Sequence, residues 1–295
     1  MAFDLSSWLP GAQQRVERLL ADRMQTIATR TPMRLAEAMR YSLLDGGKRL
    51  RPVLCLAFAD ALGGGGAMAD DGACALECIH TYSLIHDDLP SMDDDDLRRG
   101  RPTSHKAYGE ALAILAGDAL LTDAFTVIAT GPDAELVTRA RMASTLALAA
   151  GAGGMVGGQV LDIADDRPAA QDYLMQLHRL KTGALITAAC QLGVLAAGGS
   201  EAALRAAARY GEDLGLAFQI ADDLLDATAS AEQLGKPAGA DAAAGRFTFP
   251  AVVGLEASRR LAAELVERAK QAVQTVEPIA GPLAALADYS VERTR

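Results

Sequence analysis

The sequence predicts an all-α fold, and three observations support this prediction. Half of the residues are hydrophobic, but only 4% are aromatic. Alanine and leucine, which favour helices, dominate over the β-branched and aromatic residues that favour strands. Apolar residues recur at helical spacing along most of the chain, with no convincing strand and no repeat of fixed period. No linker rich in proline or serine divides the 295 residues, so residues 1–295 are expected to form a single domain.

Turn residues separate the predicted helices near the N-terminus. Residues 9–27 and 35–44 carry apolar side chains at helical spacing, and Gly46-Gly47 is typical of a helix end followed by a turn. Pro52 suits the first turn of the next helix, which is expected over residues 53–62.

Three cations, Lys48, Arg49 and Arg51, lie at the start of that helix. Free N–H groups and the helix dipole attract anions to such a position. The stretch alone is equally compatible with an anion site and with an ordinary basic turn, and it contains no P-loop motif.

A helix expected over residues 73–88 leads into an acidic stretch in which six aspartates lie within the ten positions 87–96. Pro90 disfavours helix, so the helix should end near Asp88, and Asp93 should be reached through a turn. Carboxylates at a helix C-terminus are unfavourable unless cations bind there. Clustered oxygen ligands without histidine or thiolate suit Mg²⁺. An EF-hand is excluded, because Arg98 stands where that loop needs glycine.

A second acidic cluster lies far downstream, in a segment that is otherwise mostly apolar. Asp222 and Asp226 are four residues apart, so their side chains share one face of the helix expected over residues 202–227. Two carboxylates on an apolar face repel each other and resist burial, and a shared metal resolves both problems. For the first acidic run considered alone, a solvated acidic loop is the alternative interpretation, and the second cluster favours the metal site.

The remaining predicted helices cover residues 111–129, 134–150, 173–197, 251–269 and 283–295. Lys181-Thr182-Gly183 lies inside one of them, where a Thr-Gly pair could bend the helix or expose a carbonyl. The glycines of residues 151–158 lack the strand that a dinucleotide site requires, which favours a use in close helix packing.

Composition argues against several classes of protein. The formal charge of −10 argues against nucleic acid as a partner, while an anionic substrate remains compatible with bound Mg²⁺. The four cysteines form no C-x-x-C pair, so neither a zinc site nor a disulfide framework is indicated. Residues 1–8 are too polar for a signal peptide, and the apolar stretch 184–197 is too short for a membrane span. A soluble cytoplasmic protein with no membrane span is therefore expected.

Seven short motifs along the chain occur in the same order in the trans-isoprenyl diphosphate synthases, so the chain resembles this family, and most closely the bacterial farnesyl diphosphate synthases. The resemblance runs from about Tyr41 to Gly254. Each motif alone is weak to moderate, but the complete ordered set is specific. The motifs are G-G-K-R-x-R-P at 46–52, D-D-x-x-x-x-D at 87–93, R-R-G at 98–100, K-T-G at 181–183, F-Q-x-x-D-D at 218–223, D-D-x-x-D at 222–226, and G-K at 235–236 followed by R-x-T-F-P at 246–250. Arg246 and Phe249 depart from the lysine and tyrosine that are common in the family.

The resemblance also implies roles for individual residues. Three Mg²⁺ ions are expected at the two acidic clusters, with Asp87, Asp93 and Asp222 as principal ligands and Asp88 and Asp226 in support. Thr182 and Gln219 would stabilise an allylic cation through their oxygens. The contacts to the allylic diphosphate are expected from Arg98, Lys181 and Lys236, and those to isopentenyl diphosphate from Gly47, Lys48, Arg51, His80 and Arg99.

The implied activity is the condensation of isopentenyl diphosphate with dimethylallyl and geranyl diphosphate to give farnesyl diphosphate, by a helical-bundle enzyme that is usually a homodimer. Tyr82 resembles the aromatic floor that limits the product to fifteen carbons. It lies five residues, about 7.5 Å, before Asp87, but an ideal helix rotates it well away from Asp87. Its place in the pocket is therefore implied by the resemblance alone, and an ordinary core tyrosine is the alternative.

Other members of the same superfamily remain as alternatives. A geranyl or geranylgeranyl diphosphate synthase would carry the same motifs. A terpene cyclase usually replaces the second aspartate motif, and a non-catalytic subunit of a heteromeric synthase tends to lose one of the two. Both motifs are intact in this chain, which argues against the last two alternatives.

Overall fold

The computed structural model of the chain describes residues 4–132, 135–228, 248–274 and 280–291. These residues are mostly helical, with only one pair of two-residue strands among them, which confirms the all-α prediction. The helices are α1 Leu5–Ala28, α2 Met33–Leu43, α3 Leu50–Ala61, α4 Gly66–Asp87, α5 Ser104–Tyr108, α6 Glu110–Ala129, α7 Leu136–Ala150, α8 Met155–Asp162, α9 Gln171–His178, α10 Ala184–Ala196, α11 Glu201–Thr228, α12 Phe249–Val253, α13 Leu255–Gln274 and α14 Ala280–Val291.

The core of the bundle lies between α3, α4, α10 and α11, and α6 and α13 cover it on two sides. Helix α10 is buried over nearly its whole length, because it carries almost no polar side chain. The rings of Phe58 and Tyr210 meet edge to face with their centroids 5.3 Å apart. The Tyr210 hydroxyl donates a hydrogen bond to the Leu283 carbonyl at 2.7 Å, so α11 is tied to α14 through the core. The four cysteines are buried and free.

The described residues include a short β-ribbon, which the sequence pattern does not predict. Leu97–Arg98 pairs antiparallel with Arg101–Pro102. The two residues between them, Arg99 and Gly100, have φ values of 53° and 78°. Positive φ at both central residues is the geometry of a type I′ hairpin turn, and glycine at the second position favours it. The ribbon directs the arginines that follow the acidic stretch back toward the end of α4.

The Lys181-Thr182-Gly183 segment, where the sequence allows a bend or an exposed carbonyl, changes the type of helix without ending it. Residues Arg179–Gly183 form a turn of π-helix between α9 and α10. Gly158 of α8 approaches this turn so closely that a Cβ atom on Gly158 would lie 2.1 Å from the backbone nitrogen of Lys181. The glycine-rich stretch therefore serves close packing, because any larger residue at position 158 would push α8 away from the turn.

Two helical segments within the described part of the chain are long and apolar enough to cross a membrane by length and composition, Glu110–Ala129 and Leu136–Asp162. The first is α6, which packs along α4 and α2. The second combines α7 and α8, and Gly151 to Gly154 separates them. Since the core helices of a helical bundle pass the same test, these two segments assign no membrane span.

Candidate active site

A cavity of about 780 Å³ opens between α4, α8, α11 and the π-helical turn. Asp87 at the end of α4 and Asp222 on α11 both line it, as the shared-metal hypothesis predicts. Helix α4 ends at Asp87, and Asp88 is its C-cap residue, which agrees with the boundary predicted from Pro90. The other predicted site residues that line the cavity are Gly47, Lys48, Arg51, His80, Tyr82, Arg98, Arg99, Lys181, Thr182 and Gln219. Asp88, Asp93 and Asp226 do not line it.

Arg49 has a structural role rather than the role of a free cation. Its backbone is left-handed, with φ of 50°, and its side chain is buried. Nη1 donates to Glu77 Oε1 at 2.5 Å, Nε donates to Glu17 Oε1 at 2.7 Å, and Nη2 donates to the Leu43 carbonyl at 2.9 Å. A buried guanidinium needs such partners, so this network fixes the turn between α2 and α3. The predicted anion site therefore keeps only Lys48 and Arg51 from this stretch.

A basic region forms one part of the cavity wall. Arg51 is half-buried, and its Nε is shielded from solvent and has no hydrogen-bond partner among the described residues. Burial lowers the pKa of Arg51, and Glu77 and Asp222 oppose this shift. Burial, with Arg51 and Arg99 nearby, also places the pKa of His80 well below its usual value. The His80 ring is therefore neutral near pH 7. The positive charges of Arg51 and Arg99 favour the binding of a polyanion in this region.

Gly47 allows Arg99 to enter this region. A Cβ atom on Gly47 would lie 2.6 Å from Arg99 Nη2, and Gly47 has φ of 116°. Arg99 donates a hydrogen bond to the Gly46 carbonyl, which holds the guanidinium over the turn. Both the backbone angle and the contact therefore require glycine at position 47.

The aspartates of the first acidic cluster have different surroundings. The Asp93 N–H donates to the Asp87 carbonyl at 2.8 Å, so the turn after Pro90 folds back on the end of α4. Burial, followed by the nearby Asp93 carboxylate, raises the pKa of Asp87 to about 6 against the opposing effect of Lys181. Asp88 is buried, and both of its oxygens accept hydrogen bonds from Arg98 Nε, at 2.8 and 3.0 Å.

A series of hydrogen bonds connects Asp223 of the second acidic cluster with two residues that line the cavity. Thr182 donates its hydroxyl to Gln219 Oε1 at 3.1 Å, and Gln219 Nε2 donates to Asp223 Oδ1 at 3.1 Å. Thr182 and Gln219 are thus brought together as the resemblance implies. Lys181, which also lines the cavity, forms an ion pair with Asp162 at 2.5 Å.

The rest of the cavity is mainly apolar. Tyr82 is buried and lines it, with its ring edge against His86. Met155, Val160 and Phe218 extend this surface from α8 and α11. Gln159 also lines the cavity, and neither of its amide atoms has a partner among the described residues.

The residues present fit a divalent metal that is shared with a phosphate ligand. Among the described residues, no three acidic, histidine or cysteine side chains converge on one point to form a closed cage. Mg²⁺ is usually bound by one or two carboxylates together with water and substrate phosphates, so a closed cage is not required. The half-buried Asp87 carboxyl, with its raised pKa, gains from a cation that compensates its charge.

Several residues of the site escaped the sequence interpretation. Glu77, Asp162 and Gln159 line the cavity or hold one of its cations, and each has an apolar residue or glycine on either side in the sequence. A single polar residue between such neighbours is the only signal that could have indicated them. Lys236 and Arg246 lie outside the described residues, so their predicted roles stay predictions.

Comparisons with known proteins agree with this geometry. Residues 32–281 match the family model described as Polyprenyl synthetase. The chain is 47% identical to Geranylgeranyl pyrophosphate synthase 3, chloroplastic, of Arabidopsis thaliana over 90% of this chain and 75% of the relative. It is 45% identical to a Dimethylallyltranstransferase of Fischerella ambigua over 99% of this chain and 84% of the relative.

A solved structure gives the same result for the fold. The crystal structure of an FPP/GFPP synthase from Zymomonas mobilis superposes with a TM-score of 0.86 at 38% identity, covering 99% of this chain and 100% of that one. The family model spans well over half of the sequence, and the solved relative has the same helical arrangement. This chain therefore belongs to the polyprenyl synthetase family, the trans-isoprenyl diphosphate synthases.

Proposed function

We propose that this protein is a Mg²⁺-dependent farnesyl diphosphate synthase, which condenses isopentenyl diphosphate first with dimethylallyl diphosphate and then with geranyl diphosphate. Membership of the family supports a short-chain prenyltransferase. The observation that carries the proposal is that Asp87, Asp222 and the Thr182–Gln219 pair line one cavity with Tyr82. This cavity combines metal-binding carboxylates with an apolar space of the size of a prenyl chain.

Asp87, Asp93 and Asp222 are the proposed metal ligands, and Asp226 supports them from the next turn of α11. Asp88 contributes indirectly, because its carboxylate already orients Arg98. Bound Mg²⁺, of which three ions are expected, would stabilise the charge of the departing diphosphate. Arg98 and Lys181 contact the same diphosphate in this proposal, and Lys181 must then leave or share its ion pair with Asp162.

The allylic C–O bond breaks to give an allylic cation and diphosphate. Thr182 and Gln219 present oxygen dipoles to that cation, and such preorganised dipoles stabilise charge where it develops. The apolar wall that includes Phe218 and Met155 keeps water from the cation. The isopentenyl double bond then attacks the cation to form the new C–C bond, and a proton leaves to the released diphosphate.

Isopentenyl diphosphate binds at the basic region, beside Gly47, Lys48, Arg51, His80 and Arg99. Two features support this assignment over the metal end of the cavity. The cations here include the half-buried Arg51, whose shielded Nε has no partner among the described residues, so it can donate to a phosphate oxygen. Isopentenyl diphosphate needs no metal for its own reaction, because its diphosphate does not leave.

Tyr82 supports a product of fifteen carbons. Its buried ring lies on the wall of the cavity, where it would meet the end of a farnesyl chain. A geranylgeranyl diphosphate synthase is the second candidate, because the curated relatives at 47% and 49% identity carry that name. The two candidates share the entire metal and diphosphate site, so only the depth of the apolar pocket distinguishes them.

The assembly and location are also part of the proposal. Helices α6 and α7 expose large apolar side chains, among them Leu115, Val137 and Leu148. We propose that a second copy of the chain covers them in a homodimer of single-domain subunits in the cytoplasm. Size-exclusion chromatography with light scattering should give a mass of about twice the 30.7 kDa of one chain, and a monomer would contradict the homodimer.

The activity is tested by incubating the purified protein with Mg²⁺, dimethylallyl diphosphate and radiolabelled isopentenyl diphosphate. The wild-type protein should form prenyl diphosphates, and addition of EDTA should abolish product formation. Asp87→Asn and Asp222→Asn should each lower turnover by orders of magnitude, because the charges of metal and diphosphate lose their compensation. Glu212→Gln on the exposed face of α11 is the matched control and should keep full activity. Near-normal rates in either aspartate variant would refute the proposed site.

A further inference from the structure

Asp223 belongs to the second acidic cluster, but hydrogen bonds inside the protein engage both of its oxygens. Oδ2 accepts from the Phe249 N–H at 2.9 Å, and Oδ1 accepts from Gln219 Nε2 at 3.1 Å. The residue is only 4% exposed and does not line the cavity, whereas its neighbour Asp222 does. Two adjacent aspartates of one motif therefore face different surroundings.

The hydrogen bonds to Asp223 determine the direction of the next two. A carboxylate that receives N–H groups at both oxygens acts only as an acceptor, so Gln219 must present its NH₂ group to it. The carbonyl oxygen of Gln219 then faces Thr182, and the Thr182 hydroxyl must donate its proton to that oxygen. This leaves lone pairs of the Thr182 hydroxyl oxygen and of Gln219 Oε1 available to the cavity that both residues line.

We propose that Asp223 is a positioning residue, which fixes the polarity of the Thr182–Gln219 pair so that oxygen atoms face the developing allylic cation. This inference rests on the proposed prenyltransferase function and adds a role that is distinct from metal binding. Asp223 acts through Gln219 and touches neither substrate nor metal.

The surroundings of Asp223 support this role. His178 stacks on Phe249, with ring centroids 5.5 Å apart and planes inclined by 27°. Its Nε2 lies 3.8 Å from Asp223 Oδ2, which is too far for a hydrogen bond. Burial lowers the pKa of His178 to about 4, so the ring is uncharged near pH 7. His178 therefore holds Phe249 in place by packing and does not neutralise Asp223.

Asp223→Asn is the informative substitution, because it changes one hydrogen-bonding group and almost no volume. The Phe249 N–H still requires an acceptor, so the oxygen of the introduced amide should take the place of Oδ2. The NH₂ group of the introduced amide then faces Gln219, and Gln219 must turn its own amide over to accept from it. After this rotation, an NH₂ group faces Thr182 and the cavity, with its positive end toward the reacting carbon.

Steady-state kinetics should therefore show a fall in kcat of about 10- to 100-fold for Asp223→Asn, with the KM for the allylic substrate changed less than about threefold. Mg²⁺ titration should give the same half-maximal concentration as for the wild type. Asp222→Asn should instead raise the Mg²⁺ requirement strongly. Asp213→Asn is the control on the same helix, because its partner Arg268 lies on the surface, away from the cavity.

The second substitution restores the proposed polarity without restoring the carboxylate at position 223. In the double variant Asp223→Asn/Gln219→Glu, the carboxylate introduced at position 219 can accept both from the amide introduced at position 223 and from the Thr182 hydroxyl. The double variant keeps the total charge of the pair and should recover at least about tenfold in kcat over Asp223→Asn. A structural defect caused by Asp223→Asn would not be repaired by a change at Gln219.

A binding measurement separates cation stabilisation from every other effect. Calorimetry would compare a prenyl diphosphate analogue that carries an ammonium group at the cationic centre with its uncharged isostere. Asp223→Asn should weaken binding of the ammonium analogue about tenfold or more and leave the isostere nearly unchanged. Equal effects on both analogues, or wild-type kcat in Asp223→Asn, would overturn the positioning role. Those results with an active wild type would leave the proposed function standing, whereas an inactive wild type would refute the function itself.

Discussion

The ring of Tyr82 meets the ring of His86 edge to face, with centroids 5.7 Å apart and planes inclined by 77°. The two residues are one turn apart on α4, and both line the cavity. His86 is in turn held against α6, where its Nε2 lies 3.2 Å from the Ile114 carbonyl. The end of the apolar pocket is therefore formed by Tyr82 and His86 of α4 packed against α6, and not by the Tyr82 ring alone.

Tyr82→Ala should lengthen the product. Removing the ring opens space beyond the position that the end of a farnesyl chain would reach, so products of twenty carbons or more should form from the same substrates. Tyr82→Phe is the matched control, because it keeps the ring and should still stop at fifteen carbons. Chromatography of the dephosphorylated products measures the distribution. An active Tyr82→Ala variant that stops at fifteen carbons would remove Tyr82 from the control of chain length.

Gly117→Ala should destabilise the protein through His86. A Cβ atom on Gly117 would lie 2.2 Å from His86 Nε2, so the ring must leave its position against α6. Overpacking of this kind costs about 1–3 kcal/mol, measured as the free energy of unfolding in urea. Gly11→Ala is the control, because nothing lies within 4 Å of a Cβ atom there, and it should be neutral or stabilising.

A double-mutant cycle identifies the cause of that cost. In the His86→Ala background the clash is absent, so Gly117→Ala should cost less than about 0.5 kcal/mol. An equal cost in both backgrounds would show that Gly117 is required for another reason, such as the close approach of α4 and α6.

Arg51→Ala should raise the KM for isopentenyl diphosphate more than the KM for the allylic substrate. A hydrogen bond to a charged group contributes about 1.5–3 kcal/mol, which corresponds to roughly a 10- to 100-fold increase in KM. Arg268→Ala, at an exposed arginine of α13, is the control and should change neither constant. Equal effects of Arg51→Ala on both substrates would mean that the two diphosphate sites are wrongly assigned.

Much of the fold could be predicted from the sequence, because the helix ends depend on local residues. Helix α4 ends before Pro90, as the sequence predicts, and the Thr-Gly pair lies in a π-helical turn before α10. The sequence does not predict the β-ribbon at Leu97–Pro102, because strands of only two residues show no alternation of apolar and polar side chains. Its geometry depends on positive φ values at Arg99 and Gly100, which a basic sequence does not indicate.

The sequence indicates many of the residues that line the candidate site. It does not indicate which other residues these side chains contact. The resemblance indicated Asp87, Asp222, Thr182 and Gln219, and the structure brings these residues to one cavity. The sequence could not show that Arg49 is buried by Glu17 and Glu77, because these partners come from helices 32 and 28 residues away. The placement of Tyr82 on the cavity wall likewise depends on how α4 packs, which helical periodicity alone does not give.

The length of the product formed by the wild-type protein tests the farnesyl assignment most directly. The purified enzyme is supplied with Mg²⁺, dimethylallyl diphosphate and an excess of isopentenyl diphosphate until the reaction stops, and the dephosphorylated products are separated by chain length. The buried Tyr82 ring predicts that farnesol, with fifteen carbons, is the main product. A main product of twenty carbons would contradict this assignment and identify the protein as a geranylgeranyl diphosphate synthase.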